Sequence, residues 1–189
     1  MMLTLARRRQ LAWVAGLLVV SAVTLRAMGR VWWCQCGQPD LWTWHVWSRH
    51  NSQHVIDPYT FTHVLHGVLF YGILHLLLGK RAPGLRLVLA VAVESAWEIL
   101  ENTNRLIERY REATISLDYV GDSVINSLAD ILACAGGYGL ASLVPVWMSV
   151  AGVLLTETIL LAWIRDNLLL NMVMLAWPVE AIRRWQGGS

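Results

Sequence analysis

An all-α, polytopic membrane fold is what this sequence predicts, and three observations predict it. Hydrophobic residues make up 56% of the 189 and charged residues only 15%, where a soluble domain carries about a quarter. Eleven Trp stand against two Phe, a bias of the bilayer–water boundary, where indole rings gather. Apolar runs close to the roughly 20 residues that a spanning helix needs recur along the whole chain. A formal charge of +2 with no basic stripe sets nucleic acid aside as a partner.

Six spans follow from the pattern: residues 11–29, 60–79, 83–101, 122–143, 146–164 and 167–182. Arg7, Arg8 and Arg9 precede the first, which also resembles a signal peptide, with Ala27-Met28-Gly29 as a small-x-small cleavage site. Cleavage would leave five spans. The second and third are joined by a tight basic turn with Lys80, Arg81 and Arg86. The fourth carries Gly136, Gly137 and Gly139 in AGGYG, which suits close helix packing. The last is interrupted by Asn171, Pro178 and Glu180. Residues 30–59 and 102–121 remain as two polar connections within a single domain, 1–189. Counting Arg183 and Arg184, eight of the 15 Lys and Arg fall in three short segments on one side. That side is assigned to the cytoplasm of a bacterial inner membrane, with both termini on it.

The stretch ESAWEILEN closes the third span and places Glu94, Glu98 and Glu101 on one helical face. An ionised residue at a helix centre costs about 3 kcal/mol on insertion scales, so this stripe should face the protein interior. It has company at the same depth: His63 and His66 open the second span, and Asp118, Asp122 and Asn126 open the fourth, with Asp130 two turns below Asp122. His54 and Asp57 precede the second span at that level.

Plainer readings stand beside this one. Asp122 suits a helix N-cap, and Asn126 with Asp130 suits interhelical hydrogen bonding. Glu108 and Glu112 fit a solvated helix end, His75 a core position, and Glu157 a buried pair. His45 and His50, among Trp42, Trp44 and Trp47, fit an interfacial segment. Cys134 reads as core packing, and Cys34 with Cys36 as free, bridged or metal-binding. No protease zinc motif, G-x-S-x-G elbow or phosphate loop is present.

HVLHGVLFY, ESAWEILENTNRLIERYREATISLDYVGDSVINSLAD and the cysteine segment before them resemble a family of uncharacterised bacterial inner-membrane proteins. That resemblance implies a multi-pass plasma-membrane protein and supplies no activity. A second resemblance is to VanZ-like membrane proteins, on His66, Glu98, Arg111, Asp122 and Asn126. This chain departs from that pattern with Glu101 in place of Gln and Ala129 in place of Gly.

The functional expectation is an intramembrane enzyme acting on a lipid or lipid-linked substrate at the outer leaflet. His63, His66, Glu98, Glu101 and Asp122 are its candidate catalytic residues. Asn102, Arg105, Arg109, Arg111, Asp118 and Asn126 are its candidate substrate-binding residues, the arginines for an anionic headgroup. A divalent metal on His63, His66 and Glu98 is one version of this site. A non-catalytic scaffold, or a small-solute or ion transporter, is the alternative.

Overall fold

A computed structural model describes residues 5–79, 83–114 and 118–187. The predicted basic residues Lys80 and Arg81 lie outside them. Eight helices form, with no strand and one isolated bridge, Trp42 to Ile56, among the described residues. They are α1 (Leu5–Ala27), α2 (Thr60–Leu78), α3 (Pro83–Glu101), α4 (Asn104–Ala113), α5 (Val124–Leu143), α6 (Val146–Ile164), α7 (Leu168–Ala176) and α8 (Glu180–Gly187).

Each boundary has a local cause. The Asp57 carboxylate accepts from Tyr59 N (2.7 Å) and Thr60 N (3.2 Å), which caps the start of α2. Ser123 Oγ accepts from Asn126 N (3.1 Å) and caps α5. The cap is therefore Ser123 and not its neighbour Asp122. Gly121, at φ +90°, makes the turn that sets this order. Proline opens α3, where its missing N–H has no partner to lose.

Helices α1, α2, α5 and α6 are long and apolar enough to cross a membrane. α3 matches α2 in length, at 19 residues, but carries the three glutamates. The expected count of about six spans is not confirmed among the described residues. The sixth predicted span is broken into α7, nine residues long, and α8, eight residues long. Nine residues rise about 14 Å, half the depth of a hydrocarbon core of about 30 Å. Pro178 stands at the break between them, and Glu157 of α6 accepts from Leu168 N (3.0 Å) and Leu169 N (3.1 Å), docking the start of α7 on α6.

The two ends of the bundle differ. Gln10, near the start of α1, lies beside Gly84 at the start of α3. At the other end Arg30 donates to Val120 O (2.6 Å), and Val124 N to Val31 O (2.8 Å). Gln186 of α8 donates to Asp166 Oδ1 (3.1 Å), and Arg165 to Trp185 O (3.1 Å). The C-terminal helix thus returns to the loop-bearing end, opposite the start of α1.

Asp166 is the knot of that return. It is 1% exposed and accepts from Gln186, from Tyr59 Oη (3.0 Å) and from Asn167 N (3.0 Å). Burial pushes its carboxyl up from 3.8 to about 6. The folded state therefore holds a proton that the unfolded chain releases nearer pH 4, so stability falls as pH rises from about 4 through about 6. Asp166→Asn is expected to flatten the slope of thermal midpoint against pH across that window, measured in detergent. An unchanged slope would assign it to other groups.

Candidate functional site

α2 enters the bundle with His63 buried and His66 one turn deeper, half-buried. Both face α3. His63 Nδ1 lies 2.6 Å from Glu94 Oε1, and His66 Nδ1 lies 3.0 Å from each Glu94 oxygen. Ionised Glu94 only accepts, so both rings donate to it from Nδ1. This leaves each Nε2 free of the carboxylate that orients its ring. His63 Nδ1 is also 3.3 Å from Glu98 Oε1, but its one proton goes to the closer Glu94.

Glu98 is 1% exposed and Asp130 3% exposed. Glu98 Oε1 and Asp130 Oδ1 have no hydrogen-bond partner among the described residues. His63 Nε2 stands 3.9 Å from Asp130 Oδ2. One imidazole is thus ringed by three carboxylates from two helices. Donor atoms of His63, His66 and Glu94, and separately of His63, Glu98 and Glu101, lie within 4.8 Å of one another. Either trio suits a divalent cation.

A second polar group abuts the first. Asn102 donates to Glu98 O (3.0 Å) and to Asp122 Oδ2 (2.7 Å), and its Oδ1 accepts from Asp122 N (2.8 Å). Tyr119 Oη donates to Asp122 Oδ1 (2.8 Å). Asn126 Nδ2 reaches Asp57 Oδ2 (3.5 Å). Burial pushes the Asp57 carboxyl above its ordinary value, although N–H groups of Ser52, Tyr59 and Thr60 pull the other way. Because Ser123 caps α5, the side chain of Asp122 is available to this group.

The structure thus brings together His63, His66, Glu98, Glu101, Asn102, Asp122 and Asn126. It does not bring the cations or Asp118. Arg109 Nε donates to Leu175 O (2.9 Å) and holds α7 against α4. Arg111 Nε donates to Tyr119 O (2.5 Å), and Arg105 and Asp118 are exposed. An arginine clamp for an anionic headgroup is absent from this arrangement among the described residues.

Four participants carry less weight in the sequence than in the structure. Glu94, the hub of the histidine pair, was placed in the acidic stripe but not among the candidate catalytic residues. Its spacing to Glu98 and Glu101 was the available signal. Asp130 was read as interhelical glue. Tyr119 and Tyr110 carried no sequence signal, because their approach depends on the fold of residues 102–123.

A cavity of about 350 Å³ opens at this cluster. Its polar end holds His63, His66, Glu94, Glu101, Asp122 and Asp130, with Asn51 and Ser52 at the rim. Leu69, Phe70, Ile73 and Val93 line its other end, along α2 and α3, and Leu168 and Met172 of α7 close one side. No Lys or Arg lines it among the described residues.

Apolar helices long enough to cross a membrane, closed around a buried histidine–carboxylate cluster, make this a helical membrane protein with an internal polar site. Residues 25–188 match the model of a family described as "Protein of unknown function (DUF2585)", and the chain belongs to that family. It is 48% identical over 185 residues to a UPF0314 protein of Rhizobium meliloti strain 1021, covering 96% of this chain and 94% of that one. It is 49% identical over 181 residues to a UPF0314 protein of Paracoccus denitrificans, covering 95% and 94%. A UPF0314 protein of Sinorhizobium fredii is 50% identical over 174 residues, with 92% and 88% covered. No solved structure matches the chain. The VanZ-like resemblance is not shown by these comparisons.

Proposed function

We propose that the protein is a multi-pass plasma-membrane enzyme that acts on a lipid or lipid-linked substrate from the leaflet beside its loop-bearing end. α1 (Leu5–Ala27) is kept as a span in this reading, since Ser21 and Leu25 are buried in the bundle. The basic residues Arg7, Arg8 and Arg9, and Lys80 and Arg81 in the sequence between α2 and α3, support a cytoplasmic start of α1. The long connections and α8 then lie outside.

One observation carries the reading. A single carboxylate, Glu94, orients two imidazoles at the polar end of a cavity whose other end is apolar and runs along the helices. A headgroup fits the first end and the start of an acyl or prenyl chain the second. Oriented from Nδ1, His66 offers Nε2 as a general base, and Glu98 and Asp130 supply carboxylates with unpaired oxygens. Four acids and no cation at the wall favour a neutral hydroxyl-rich or cationic headgroup over an anionic one.

Glu98→Gln is the discriminating change. Glu98 Oε1 accepts no hydrogen bond, so the isosteric amide disturbs the fold little. Lipid extracts of cells lacking the gene should show one accumulated or missing species. Wild type should restore the profile, and a Glu98→Gln protein present at wild-type level should not. Full restoration by that variant would favour the scaffold.

A further inference from the structure

Residues 28–59 join α1 to α2 through 32 residues without a helix, a length at which a connection in a compact domain needs some device to order it. Part of that order is apolar. Val46 packs on Leu160 and Ile164 of α6, and Trp44 meets Trp163 at 5.2 Å between ring centroids. Part is backbone: Thr43 N donates to Ile56 O, and Ile56 N to Leu41 O, both at 3.0 Å. Neither fixes the first stretch of the connection, residues 33–40, to the last.

Two cysteines and two histidines meet at that gap. Cys34 Sγ lies 3.2 Å from His50 Nδ1, and Cys36 Sγ lies 3.9 Å from His54 Nε2. One donor atom from each of the four comes within 4.8 Å of the others. All three cysteines of the chain are free thiols. A tetrahedral zinc ion with its usual bonds to sulfur and nitrogen sets its ligand atoms roughly 3.3–3.8 Å apart, and the two observed distances bracket that range.

The ring of His54 supplies an independent mark. Its Nδ1 bonds the backbone carbonyl of Asp40, and a carbonyl only accepts, so the proton sits on Nδ1. In the neutral ring, Nε2, which faces Cys36, then carries the lone pair toward the cluster. An imidazole anchored by one nitrogen to a carbonyl, with the other presented inward, is the arrangement of a metal ligand and its outer support. His54 is 2% exposed and Cys34 6% exposed, with Cys36 and His50 half-buried beside them.

We infer that Cys34, Cys36, His50 and His54 form a structural zinc site that clamps the two halves of this connection together. Two sulfur and two nitrogen donors in a closed, four-ligand set select zinc over the hard divalent ions. The clamp also bears on the cavity. His50 and His54 bracket Asn51, Ser52 and Gln53, and Asn51 with Ser52 forms the cavity rim. Ser52 sits at φ +59°, a left-handed conformation that a serine holds only under constraint. Its N donates to Asp57 Oδ2 (2.8 Å), and its carbonyl accepts from Ser123 N (2.9 Å). Ligands on both flanks fix this tripeptide over the site.

The test uses the full-length protein purified in detergent without chelator, with zinc counted per chain by mass spectrometry. The paired variant Cys34→Ser/Cys36→Ser should carry one zinc fewer than wild type, whatever the histidine–glutamate cluster binds. Replacing the metal with cobalt(II) should give an intense sulfur-to-cobalt absorption in the near ultraviolet with tetrahedral bands in the visible. That signature should vanish in the paired variant and persist in Glu98→Gln, which separates this site from the inner one. Should the paired variant fail to fold, His50→Ala alone keeps the thiolates and should still weaken or shift the cobalt spectrum. Equal zinc content in wild type and variant, a cobalt spectrum without thiolate absorption, or a Cys34–Cys36 disulfide found in the mass of the purified protein would each overturn the inference.

Discussion

Gly67→Ala is expected to yield little folded protein, whereas Gly136→Ala should behave like wild type. A methyl group at Gly67 would lie 1.9 Å from Cys134 O and 2.6 Å from Tyr138 N, both backbone atoms of α5. Across the same contact, one at Gly137 would lie 2.0 Å from Val64 O of α2. Neither helix can yield by turning a side chain, so the axes must part. Overpacking a tight core costs about 1–3 kcal/mol and occasionally more, and a clash against main chain on both sides belongs at the upper end. Set against a total stability of about 5–15 kcal/mol, that loss is severe. Gly136 and Gly139 have nothing within 4 Å of the added atom, and alanine there even favours the helix by up to about 1 kcal/mol. The readout is the fraction of monodisperse protein and its thermal midpoint. A Gly67→Ala protein melting within a degree or two of wild type would mean that α2 and α5 do not approach this closely. The contact also sets chemistry, because His63 precedes Gly67 by one turn and Asp130 precedes Cys134 by one turn. Separation of the helices would widen the 3.9 Å gap between His63 and Asp130.

Charge in an apolar helix is what made the site legible. Glu94, Glu98 and Glu101 had to turn inward on energetic grounds, and histidines at the same depth were the natural company. What stayed illegible depends on contacts distant in sequence. Residues 167–182 are apolar enough to suggest a span, yet nothing local announces that Glu157 will take the first two N–H groups of α7. Choosing between Asp122 and Ser123 as the cap of α5 needed the backbone turn at Gly121, and the choice decides whether Asp122 is structural or available. The arginines of 105–111 lie near the acids in sequence, but α4 presents Ile107, Tyr110 and Ala113 inward, so its cations point elsewhere. His50 and His54 were separable from the tryptophans around them only once the connection had folded back onto Cys34 and Cys36.

Glu94→Leu is expected to destabilise the protein by about 3–5 kcal/mol, the range for removing one partner of a buried charged pair. Two imidazoles would lose their common acceptor at once, His63 at 2.6 Å and His66 at 3.0 Å. That result alone would not separate a chemical role from a structural one, since a lost fold abolishes either. The triple variant His63→Leu/His66→Phe/Glu94→Leu does separate them. With all three apolar no imidazole is left without its acceptor, and replacing buried polar partners together by packed hydrophobic residues is often neutral or stabilising. Glu98 and Asp130 lose the imidazole at 3.3 and 3.9 Å, which sets a limit on the recovery. His66 already lies beside Phe70, at 5.9 Å between ring centroids, so a phenyl ring has a surface to meet. The triple variant should therefore melt well above Glu94→Leu, while cells that carry it should keep the lipid profile of the deletion. Recovery of stability together with recovery of that profile would reduce the cluster to architecture. Recovery of stability alone would mean that the cell needs the imidazoles for what they do and not for how they pack.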